Sequence, residues 1–108
     1  MAPTGRRLPV KFSVAAQVDL DVAFAYVTER NRAAAVELLD KLRSGIGRLG
    51  EFPKMGSALP SAEFGFIPQG TRFTVVEPYL IFYRVTTAAV VVTRVLHARQ
   101  DSLGALFE

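Results

Sequence analysis

Apolar residues recur along this chain with two different periods. Ala16, Leu20, Ala23, Phe24 and Val27 follow helical spacing, with Gln17, Asp21 and Thr28 on the other side. That spacing predicts an amphipathic helix, and Ser13 stands where a hydroxyl caps its first turn. After the polar break Glu29-Arg30-Asn31-Arg32, the stripe Ala35, Leu38, Leu39, Leu42, Ile46 and Leu49 predicts a second helix. Glu37 and Lys41 sit i, i+4 on its polar side. Gly45 and Gly47 each weaken that helix by about 1 kcal/mol relative to alanine, so packing must hold its last turns. Gly50 and Pro53 end it. Period two then takes over, with strands expected at 71–76, 79–86 and 89–98, the last two joined as a hairpin at Thr87-Ala88. A short strand, 8–12, is expected ahead of the helices.

Between Gly50 and Gly70, Pro53, Gly56, Pro60, Gly65 and Pro68 predict a connection without regular structure, longer than the usual limit of about 15 residues. The order is β-α-α-β-β-β, and the class is α+β: an αα-hairpin packed on a mainly antiparallel sheet. One domain spans 1–108, with a tail at 1–7, a core at 8–100 and a C-terminal tail at 101–108. In that last tail Leu103, Leu106 and Phe107 have the spacing of a short helix. Alternation along 79–85 puts Leu80, Phe82 and Arg84 on one sheet face and Tyr79, Ile81, Tyr83 and Val85 on the other. His97 and Arg99 share a direction on the last strand.

Composition narrows the chemistry. The chain has 108 residues, half of them hydrophobic, enough for one continuous core. Its 13 basic and 10 acidic residues give +3, too little to indicate a nucleic-acid binder. The distribution says more: Arg72, Arg84, Arg94 and Arg99 face only Glu77 between Phe64 and Gln100, so the C-terminal half is electropositive. There is no cysteine and one histidine, which argues against thiolate or histidine metal sites and for a reduced, cytoplasmic setting. No cofactor is expected. No run approaches the roughly 20 apolar residues of a membrane span, and Arg6-Arg7 lacks the apolar stretch of an export signal.

Three arginines and the lone histidine lie within the apolar runs Tyr79-Leu80-Ile81-Phe82-Tyr83-Arg84-Val85 and Val90-Val91-Val92-Thr93-Arg94-Val95-Leu96-His97-Ala98-Arg99. Together with Ser13, Ala16, Asp19-Leu20, Tyr26-Val27, Ala33-Ala34, Leu42, Ile46, Leu49, Phe52-Pro53, Met55-Gly56, Gly70, Arg72 and Asp101, these runs resemble the ParE branch of the RelE/ParE toxin superfamily over residues 8–103. The resemblance implies the toxin half of a type II toxin–antitoxin module. It implies a toxin that poisons DNA gyrase and is neutralised, in a hetero-oligomer, by a ParD-like antitoxin laid across it as a helix and an extended segment. On that expectation Tyr83, Arg84, Arg94, His97 and Arg99 line the partner-binding groove.

RelE-like relatives instead cleave messenger RNA on the ribosome, which requires an acid, a base and cations around the phosphate. Here His97 would be the acid or base and Arg72, Arg84 and Arg94 the cations, with Glu63 a substitute base. The RNA-cutting relatives commonly carry lysines, a glutamate or a tyrosine near that histidine, whereas Ala98, Arg99 and Gln100 follow it here. Gln100 also stands where ParE-like sequences often have a basic residue. A third reading is an inactive relative that only binds its antitoxin. Each residue also has a structural alternative: His97 satisfied at a strand end, Tyr79 and Tyr83 in the core, and Arg84 or Arg94 paired with Asp19, Asp21 or Glu77.

Overall fold

A computed structural model describes residues 7–58 and 70–98. The expected tail helix, Arg99 and Glu63 lie outside the described residues. Helix α1, Val14–Arg30, starts where Ser13 Oγ accepts from Ala16 N at 3.0 Å. The same hydroxyl donates to Thr93 O at 2.9 Å, so one side chain both caps the helix and ties it to the sheet. Asn31 is the whole joint between the helices. Its N–H ends α1 on Val27 O, and its side chain accepts from Ala34 N to open α2, Arg32–Glu51. The four-residue polar break read from sequence is thus a single residue in extended conformation.

The sheet runs in the order β1-β5-β4-β3-β2. Strand β1, Val10–Phe12, lies parallel to the start of β5, Val90–His97; β5 is antiparallel to β4, Tyr79–Val85, and β4 to β3, Arg72–Val76. These strands fall within two residues of the expected bounds. The turn joining β4 to β5 is closed by the Thr86 hydroxyl, which accepts from Ala88 N and Ala89 N. A two-residue strand, β2, Ser57–Ala58, pairs with Phe73 and Arg72. It interrupts the stretch in which no regular structure was expected.

Both helices cover one sheet face. Ala16, Ala23, Leu42, Ile46 and Leu49 pack on Ile81, Tyr83, Val90, Val92 and Val95 in one cluster. A Cβ on Gly45 would stand 2.5 Å from a Val76 methyl. The glycine that weakens α2 locally is therefore what lets the helix close onto β3. A bulge at Phe82/Tyr83 sets Phe82 opposite Arg94 and Tyr83 opposite Val92, leaving Thr93 extra in β5.

Candidate functional site

Alternation along β4 holds, and it decides the fate of each candidate. Tyr83 points under the helices and is wholly buried. Its hydroxyl donates to Pro53 O at 2.8 Å and accepts from Gly56 N at 3.0 Å. The expected groove residue is therefore a core residue, because the face it shares with Ile81 is the one the helices cover. Arg72, opposite Tyr83 on β3, serves the same segment: its Nη2 donates to Lys54 O at 3.0 Å and to Gly56 O at 2.6 Å. Its Nε is buried without a partner. A Cβ on Gly56 would collide with Phe73 O and the Tyr83 hydroxyl, so only glycine fits between them. Together these contacts fix residues 53–56 against the sheet just before β2.

Arg94 is turned toward α1. Its Nε and Nη2 donate to the two carboxylate oxygens of Asp19 at 2.7 and 2.9 Å, and Val95 N donates to the same carboxylate at 2.9 Å. The hydrogen bonds to Asp19 raise the Arg94 guanidinium above its ordinary pKa. This fork-on-carboxylate pair is the stronger kind of ion pair, and Asp19 is largely buried in it. Among the alternatives open in the sequence, pairing with Asp19 is the one formed.

Arg84 lies on the opposite sheet face, exposed, with no ion pair among the described residues. Phe73 and Phe82 contact each other on that face, their ring centroids 6.1 Å apart. His97 ends β5 half-buried, edge-on to Tyr79 with centroids 5.3 Å apart. Burial first, and then the Tyr26 phenol, raises the Tyr79 phenol above its usual 10.0. Tyr26, half-exposed, carries the Arg30 guanidinium 3.7 Å over its ring.

The four residues considered for RNA cleavage do not converge. His97 pairs with Tyr79 and Arg84 with Val91 in the hairpin register. Arg84 is therefore about 17 Å along β4 from the histidine, at 3.3 Å per residue, and on the other face. Arg72 and Arg94 are held by carbonyls and a carboxylate. Among the described residues no three His, Cys, Asp or Glu gather as a cation site, and no helix is long and apolar enough to cross a membrane.

An open apolar groove lies elsewhere, on the helical layer. Val10, Phe12, Leu20, Leu39, Leu42 and Ile46 line about 280 Å³ between β1 and the two helices, with Arg43 at its rim. A second hollow continues from Leu20, Leu39 and Leu42 to Phe24 and Leu38. Phe12, Phe24 and Leu39 each stay more than a third exposed. Sequence reading assigned Phe24 and Leu39 to the core; the signal that marks them as groove lining is their place at the margin of each stripe.

A family model described as the ParE toxin of the type II toxin–antitoxin system parDE matches residues 10–102. Among solved structures, the fold is similar to one in the chromosomal ParDE system of P. aeruginosa, at 19% identity and a TM-score of 0.69, covering 86% of this chain and 98% of that one. It is also similar to one in the DinJ-YafQ toxin–antitoxin complex of E. coli, at 18% identity and a TM-score of 0.59, covering 95% and 100%. A third is in the RelBE2 toxin–antitoxin complex of Mycobacterium tuberculosis, at 21% identity and a TM-score of 0.56, covering 84% and 91%. Comparison with curated protein sequences finds no match.

Proposed function

The chain belongs to the ParE toxin family of type II toxin–antitoxin systems, and from that premise we propose that it stops DNA replication by inhibiting gyrase, with a ParD-like antitoxin holding it in check. The observation that carries the choice of gyrase over messenger RNA is the commitment of Arg72 and Arg94. Stabilising a pentavalent phosphate needs guanidinium groups aimed at one point beside the acid and base. Here one is spent on Lys54 O and Gly56 O and the other on Asp19. His97 stands apart from both, against Tyr79.

The apolar groove between β1, α1 and α2 suits the antitoxin. An amphipathic helix lays its apolar face into such a groove, and Arg43 at the rim favours an acidic flank on that helix. On the other sheet face, exposed Arg84 is assigned to partner contact, and His97, beside Tyr79 at the far end of the hairpin, to a separate one.

Pulse-labelling of DNA and protein synthesis within minutes of inducing the chain without antitoxin tests the reading. DNA synthesis is expected to fall first, and purified chain to inhibit gyrase supercoiling in vitro while leaving ribosome-bound messenger RNA intact. An early fall in translation, abolished by His97→Ala, would sink the gyrase reading in favour of ribonuclease. Arrest of neither process would leave a relative that only binds its antitoxin.

A further inference from the structure

The chain just after α2 makes a second kind of surface, convex where the groove is concave. Met55 N donates to Phe52 O at 3.1 Å, so Phe52-Pro53-Lys54-Met55 forms a β-turn. Proline stands at its second position, where a φ fixed at about −65° suits the turn. Helix α2 holds the near end, Phe52 N donating to Arg48 O at 2.8 Å. The sheet holds the rest through Tyr83, on Pro53 O and Gly56 N, and through Arg72, which alone grips two carbonyls, Lys54 O and Gly56 O. All of these bonds go to the backbone of the segment. Its side chains are left outside: Phe52 is 54% and Met55 44% exposed, and Lys54 is exposed between them.

A singly exposed apolar side chain is ordinary. Two on one turn whose backbone is already pinned are a preorganised contact, because the cost of ordering the turn is met before a partner arrives. Aromatic residues and methionine are also the types enriched in interface cores. The free charges around the turn have one sign. Lys54 at its tip and Arg48, one helical turn before Phe52, are exposed and in no ion pair among the described residues. The neighbouring acid, Glu51, is paired with Arg7 at 3.5 Å. The next acid back along α2 is Asp40, about 18 Å from Phe52 on the helix axis. Glu77 follows the far end of β3, about 16 Å from Arg72. Such a surface fits an apolar pocket rimmed with carboxylates. A single amphipathic helix has no pocket to offer a protruding ring, whereas the cleft of a folded protein has one. Phe52, Lys54 and Met55 line neither hollow of the groove assigned to the antitoxin.

We propose that this turn anchors the toxin to its folded target, Phe52 and Met55 entering an apolar pocket whose acidic rim meets Lys54 and Arg48. The inference rests on the gyrase reading and adds to it the surface that makes the contact. One turn is smaller than the roughly 800 Å² per partner of a standard interface, so it supplies the central anchors and neighbouring surface supplies the rest.

Inhibition of gyrase supercoiling by the purified chain, freed of antitoxin, is measured beside its affinity for the antitoxin. Phe52→Ala combined with Met55→Ala should raise the half-inhibitory concentration about thirtyfold, with antitoxin affinity and melting temperature at their wild-type values. Lys54→Glu, which changes only a side chain in solvent, should raise it about threefold. Inhibition by Lys54→Gln should depend less on salt than that of the wild type. If the double variant melts early, Lys54→Glu decides alone. A wild type that inhibits gyrase no better than these variants overturns the proposal and leaves the gyrase reading standing. Variants that keep inhibition and lose antitoxin binding also overturn it and hand the turn to the antitoxin. A wild type that leaves gyrase active removes both the reading and the proposal.

Discussion

The β4–β5 hairpin carries a tyrosine near each end, and the two ends spend their polar groups in opposite ways. Near the turn, Tyr83 is sealed under the helices and gives both its hydrogen bonds to the backbone of Pro53 and Gly56, with Arg72 beside it bonded to the same segment. At the far end, Tyr79, also buried, meets His97 edge-on, and Arg30 lies on a half-exposed Tyr26. The two tyrosines share a face and a strand, so the difference comes from what lies over them. A segment whose Pro53 and Lys54 carbonyls and Gly56 N–H take side-chain partners draws polar side chains inward at one end. At the other, the end of α1 leaves aromatic and cationic groups at the surface.

Three substitutions break or sharpen this contrast. The largest effect is expected at Asp19, between the two ends. Asp19→Ala strands the Arg94 guanidinium and Val95 N–H, and should cost about 3 kcal/mol even with Arg94 one-third exposed, which lowers the usual penalty for a broken buried pair. Thermal melting should show a drop of roughly 15 °C; a drop of a few degrees would mean that water replaces the carboxylate. Next comes Tyr83→Phe, which leaves Gly56 N and Pro53 O short of a partner at about 2 kcal/mol. Urea titration should find the loss in midpoint, and toxicity should fall only as far as stability does. The smallest belongs to Tyr79→Phe, within about 0.5 kcal/mol at neutral pH. Because the folded phenol has the raised pKa, its stabilising contribution is full below 10.0 and is lost as pH rises through the folded value. The wild type should therefore weaken above pH 10 more steeply than the phenylalanine variant; identical alkaline melts would remove Tyr79 from that account.

The elements were legible because local signals agreed: Ser13 caps, two stripes of helical period, and period-two runs ending at turn residues. Strand β2 was not, since two residues amid prolines and glycines carry no pattern, and its formation depends on Tyr83 and Arg72 fixing the chain before it. The placement of Tyr83 missed for a related reason. Alternation sorts Tyr83 from Arg84 but does not say which face the helices will cover, and so Tyr83 was expected in a groove. Arg94 was readable only as a choice among acids. Asp19 wins because one turn into α1 the helix passes beside β5, a relation between residues 75 apart in sequence. The apolar groove was hidden because Phe24 and Leu39 belong to the helical stripes and differ from core residues only in lying at their margins.

Strand β1 stops at Phe12 after pairing only three residues with β5. Past Val92 no described strand pairs with that edge of β5, and an unpaired edge is a template on which unrelated chains add strands and aggregate. Ser13 binds Thr93 O and Asp19 takes Val95 N, so the next two outward backbone groups are already occupied by side chains from the start of α1. A strand arriving there would bring a carbonyl toward a slot that already holds a carboxylate. The first turns of α1 thus protect the chain against misassembly at this edge, and Asp19→Ala should make the folded protein more prone to form fibrils as well as easier to melt.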